Sequence, residues 1–77
     1  MSGLDEISVA AVFKNGIIYP RWFLKKGEKI TIDEVTYRWS VRQGNFTIRK
    51  FAVISNGRLY QISFFSDKSR WLLEKED

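Results

Sequence analysis

Asn-Gly occurs twice in this chain, at Asn15-Gly16 and Asn56-Gly57, each time between short runs rich in β-branched and aromatic residues. A type I′ turn needs positive φ at both central residues, so Asn-Gly between such runs specifies a tight hairpin. Lys26-Gly27 and Gln43-Gly44 mark two more turns at similar spacing. Between the turns, Val35, Tyr37, Trp39 and Val41 alternate with Thr36, Arg38, Ser40 and Arg42, the period-two pattern of a half-buried strand. Pro20 has no N–H to give a ladder, which places it at an edge or at the start of a segment. The chain therefore reads as all-β. Five to seven short strands form a small antiparallel barrel or a strongly curled β-meander of SH3-like size.

The hairpins also predict registers. A Gln43-Gly44 loop pairs Val41 with Phe46 and Trp39 with Ile48 on an inner face, and carried further it sets Lys50 opposite Tyr37. The Asn56-Gly57 hairpin pairs Val53 with Tyr60 and Phe51 with Ile62, and carried back it sets Arg49 opposite Phe64. The two inner faces differ in parity, so one inserted residue is expected, a β-bulge at Arg49-Lys50. The tryptophans share a pattern: each follows an arginine, at Arg21-Trp22, Arg38-Trp39 and Arg70-Trp71. Neighbouring strand residues point to opposite faces, which predicts indoles inside and guanidinium groups outside. Arg70 to Glu74 reads equally as a strand or a short helix.

The 77 residues suffice for one domain. Residues 1–6 read as a flexible leader, 7–74 as the β core and 75–77 as an acidic tail. A domain of this size buries only about 60% of its unfolded surface, so large side chains carry the core. Six Phe, three Tyr and three Trp supply them. No cysteine is present, so disulfides and thiolate metal sites are excluded, and a reducing, cytoplasmic setting is expected. There is no long apolar run and no signal-peptide layout, so neither a membrane span nor export is expected.

Catalysis finds no support. Histidine and cysteine, the commonest base and the strongest side-chain nucleophile, are both absent. The interior acids Glu28, Asp33, Glu34 and Asp67 read as turn and solubility residues. No glycine-rich phosphate loop or metal-ligand spacing occurs, so no cofactor, metal or small-molecule substrate is implied. Charge is more informative. From Val35 to Ser66 the chain carries Arg38, Arg42, Arg49, Lys50 and Arg58 and no acid. Arg38, Arg42, Arg49 and Lys50 form the candidate anion or nucleic-acid site of a non-catalytic binding module. The same charges also serve solubility alone. The predicted register sets Arg38 opposite Arg49, a repulsive pair that a bound anion would relieve. Most aromatics, Tyr37, Trp39, Phe46 and Phe51 among them, are assigned to the core rather than to stacking. The alternative is a protein-interaction or self-association surface at Ile54, Leu59 and Phe65, on the predicted outer face.

Two blocks carry a further resemblance. One runs Pro20-Arg21-Trp22-Phe23-Leu24-Lys25-Lys26-Gly27, then Ile30-Thr31-Ile32-Asp33-Glu34-Val35 and Arg38-Trp39; the other is Gly57-Arg58-Leu59-Tyr60-Gln61, followed by Asp67 and Arg70-Trp71-Leu72-Leu73-Glu74. Together they resemble a family of small bacterial all-β domains of unknown function. The resemblance spans about residues 17–75 and implies a link to DNA transactions, because some members are encoded near DNA-repair polymerases. It implies no active site. The chain departs from the pattern at Ile30, where an aromatic is usual, and at Lys25, where a tryptophan or arginine is expected.

Overall fold

The computed structural model describes residues 5–77. Seven strands follow one another: β1 (Asp5–Lys14), β2 (Ile17–Lys25), β3 (Glu28–Thr31), β4 (Glu34–Gln43), β5 (Phe46–Ser55), β6 (Arg58–Phe65) and β7 (Arg70–Glu76). They form one antiparallel sheet in the order β3-β2-β1-β7-β6-β5-β4, curled strongly into a half-barrel. The turn dipeptides account for the hairpins. Asn15-Gly16, Lys26-Gly27 and Asn56-Gly57 all have positive φ at both positions, as type I′ turns require. Arg70 to Glu74 is strand. Pro20 lies at the irregularity of β1 beside Ala10 and Ala11, before the β3 pairing begins at Trp22.

The concave face holds the core. Phe23, Val53 and Ile62 are fully enclosed, with Ile7, Ile18, Ile30, Phe51, Tyr60, Trp71 and Leu73 around them. Phe23 meets Tyr60 edge-on, ring centres 5.4 Å apart, and so joins the β1–β3 wing to the β4–β7 wing. The link between β3 and β4 touches both wings: Ile32 N–H donates to the Arg21 carbonyl of β2 and Asp33 N–H to the Ile54 carbonyl of β5.

The expected bulge at Arg49-Lys50 is absent. β5 runs regularly against β4 and β6, and the β5–β6 register keeps the predicted pairs Val53–Tyr60, Phe51–Ile62 and Arg49–Phe64. Two changes in β4 resolve the parity conflict instead. The turn is Gly44-Asn45, not Gln43-Gly44, with positive φ at Gly44 only, which is a type II′ turn with glycine first. This shifts the pairing by two, to Val41–Ile48 and Trp39–Lys50. The irregularity falls between Val35 and Tyr37, and it returns Val35 to the core. β5 has a single pleat to share between two neighbours, and its odd row, Phe51 and Val53, already fills the core. The even row must then face outward, and it carries Tyr37, Trp39, Val41 and Phe46 with it.

The expected inside–outside rule for Arg-Trp therefore holds at one site of three. Trp71 is buried and Arg70 is exposed, 3.8 Å from Glu6. At Arg38-Trp39 the rule is inverted: Arg38 opposes Phe51 on the concave face, and Trp39 lies half-buried on the outer face against Tyr37. Trp22 is also on the outer face, with the Lys29 ammonium 4.7 Å from its ring centre. Both ends extend the sheet further than expected. Asp5 and Glu6 pair with Leu73 and Leu72, and Lys75 and Glu76 pair with Gln61 and Tyr60. The remainder of the expected leader, residues 1–4, lies outside the described residues.

Candidate functional site

Arg38, Ser40 and Arg42 of β4 share the concave side of the pleat with Thr47 and Arg49 of β5. The two-residue shift sets Ser40, not Arg38, opposite Arg49, and Thr47 opposite Arg42. The expected Arg38–Arg49 repulsion is thereby removed, so no anion is needed to explain it. Arg42 and Arg49 are exposed, and among the described residues neither has a carboxylate within ion-pair distance.

Arg38 does a different job. Its Nη1 donates to the Ile18 carbonyl at 2.5 Å. Its guanidinium carbon lies 5.1 Å from the Tyr19 ring centre and 5.6 Å from that of Phe51. A cation over aromatic faces and a charged donor on a backbone carbonyl are both attractive. Arg38 thus clasps β4 to β2 across the open seam of the half-barrel. It divides the seam into a groove of about 220 Å³ by the β1–β2 tip and one of about 590 Å³ by β3. The first is walled by Gly16, Ile17 and Ile18 on one side and by Ser40, Arg49 and Phe51 on the other.

Lys50 does not belong to this cluster. With β5 regular, Lys50 faces outward, away from Arg49, and its Nζ donates to both oxygens of Glu74 at 3.0 Å. Gln61 donates to the same carboxylate at 2.7 Å. The Ser63 hydroxyl is fully buried beside it without meeting hydrogen-bond geometry. Burial pushes the Glu74 carboxyl up, but Lys50, Ser63 and Gln61 outweigh it and hold it below its ordinary value of 4.5. A folded-state value below the unfolded one gives stability that is present above about pH 4.5 and is lost as pH falls through the lowered value. Glu74→Gln is expected to flatten part of the acid limb. It should also cost about 1–3 kcal/mol at neutral pH, since a charged hydrogen-bond acceptor is lost. Urea midpoints near neutral pH and in acid check this, and equal acid slopes in parent and variant would refute it.

The opposite end of the sheet offers a polar groove of about 470 Å³, but its charges cancel. Lys25 and Arg58 both bind Glu76, and Glu28 and Asp33 line the same groove as Lys29. The hydrogen bond that Lys25 Nζ donates to Glu76 raises Lys25 and lowers Glu76. Arg42 and Arg49 lie at the other end of the sheet, away from these acids.

The apolar candidates are split. Ile54 and Leu59 oppose each other on the outer face, and Leu59 is exposed. Phe65 shares that face but opposes Ile48, about 20 Å along the strand from Ile54. Ile48 is buried there, outside the main core. Sequence reasoning also missed two exposed aromatics, Phe13 and Tyr37. The position of Phe13 beside the Asn15-Gly16 turn was the available signal, because a ring at a hairpin tip has few neighbours to cover it. Comparison with protein-family models, with curated proteins and with solved structures returned no match to this chain.

Proposed function

We propose that this domain is a non-catalytic module that binds nucleic acid through its concave arginine face. The observation behind this reading is the pair Arg42 and Arg49, exposed on one face with no acid partner among the described residues. Arg38 lies beside them at the seam groove. Guanidinium groups without intramolecular partners are suited to phosphate oxygens, which they contact in a fork geometry. Lys50 drops out, because Glu74 already neutralises it. The resemblance to small bacterial domains encoded near DNA-repair polymerases points the same way.

Titration of a labelled oligonucleotide at increasing salt tests the reading. Two phosphate contacts from Arg42 and Arg49 are expected to lower log K by about 1.4–1.8 per decade of salt. Nonspecific affinities of about 1–100 μM are expected near physiological salt. No binding at about 50 mM salt would overturn the proposal. Association that persists at high salt would instead favour the apolar pair Ile54 and Leu59 as a protein or self-association surface.

A further inference from the structure

Phe13 is 64% exposed. It opposes Ile18 across the β1–β2 hairpin and therefore projects to the concave side, where Ile18 is buried. Its ring meets Phe64 edge-on at 6.3 Å. Phe64 in turn packs on Trp71 at 4.9 Å, and Trp71 on Phe51 at 5.7 Å. Phe13 is thus the solvent end of an aromatic row whose other members are anchored in the core. Arg49 stands directly opposite Phe64 on the neighbouring strand, on the same concave side. Phe13 and Arg49 therefore flank one ring. Tyr37 is equally exposed, but it lies on the outer face against Trp39, on the side away from the unpaired arginines.

From this juxtaposition we infer that Phe13 is a stacking platform for a nucleobase, and that the ligand of the arginine face is single-stranded nucleic acid. The inference rests on the arginine reading proposed above. An exposed ring resting on an anchored aromatic row beside a partnerless guanidinium matches the two chemical parts of a nucleotide, the π-face of the base and the phosphate. Every base has such a face, so the stacking contact is tolerant of sequence. In a duplex those faces are covered by neighbouring base pairs, which leaves Phe13 nothing to stack on.

The experiment measures anisotropy with a labelled single strand of about twelve nucleotides, long enough for a site of this kind. An abasic strand with the same phosphates and a duplex of the same length are the comparisons, and oligothymidylate and oligouridylate arms separate DNA from RNA. The parent is expected to bind the base-bearing strand about 5- to 150-fold tighter than the abasic one, the range one stacked base supplies. Phe13→Ala is expected to bring the base-bearing strand down to the abasic level and leave the abasic strand unchanged. Phe13→Trp is expected to restore the difference, and the unchanged abasic binding of the alanine variant shows that it is folded. Unchanged discrimination in Phe13→Ala, or equal binding of duplex and single strand by the parent, would overturn the stacking platform while salt-dependent binding left the arginine reading standing. Failure of the parent to bind any of these strands at low salt would overturn both.

Discussion

Phe23→Ala is expected to lower stability by about 3–5 kcal/mol, the usual cost of emptying a buried aromatic site. Phe23 has no exposed surface, pairs with Val9 and Ile30, and meets the Tyr60 ring across the core. Removing it takes away a fully enclosed apolar contact between the two wings, at a place where the sheet is not closed by strand pairing. A chain of this length is stable by only about 4–12 kcal/mol in total, so the loss is a large part of the whole. The melting temperature should fall by at least about 12 °C, since each kcal/mol shifts a small domain by about 4–8 °C. A urea midpoint that falls with its slope unchanged would show lost stability in a still cooperative fold. A loss below about 1 kcal/mol, within the range of surface substitutions, would refute the core assignment.

The double variant Arg42→Glu and Arg49→Glu is expected to weaken oligonucleotide binding by at least about 100-fold. Each charged hydrogen bond to phosphate contributes about 1.5 kcal/mol or more, close to tenfold, and reversal adds repulsion. The salt slope should fall by about 1.4–1.8, the share of the two lost phosphate contacts. Neither side chain has an ionic partner among the described residues, so the fold should hold, and the melting temperature provides the control. Arg38 is left in place on purpose. It clasps β4 to β2 through the Ile18 carbonyl, so its removal would open the seam and confuse loss of structure with loss of binding. Binding of the double variant at the parent's affinity would refute the arginine face.

The local features were legible because short-range physics decides them. Asn15-Gly16 and Asn56-Gly57 demanded their turns through backbone sterics alone, and the pairs Val53–Tyr60 and Phe51–Ile62 followed from the second of them. Gln43-Gly44 was misread because one glycine fits two turn types. Taken as the first central residue of a type II′ turn, Gly44 moves the register by two. The site was partly legible for the same reason. Arg38, Arg42 and Arg49 do share a face, as their parity across one hairpin requires. Lys50 was misplaced because its grouping depended on a bulge that β5 does not contain.

Sequence by itself determined that this chain is all-β, where most of its hairpins turn, and which positive charges lack acids nearby along the chain. Tertiary structure alone decided which face of β4 is the inside. Apolar residues occupy both rows of the β4–β5 hairpin, so alternation could not choose between Trp39 and Arg38. The choice came from closure: the β1–β2 hairpin folds over the row that holds Phe51 and Val53, which makes that row the main core. The same closure brings Phe13 onto Phe64 beside Arg49, from strands far apart in the chain, a juxtaposition that exists only once the sheet has curled.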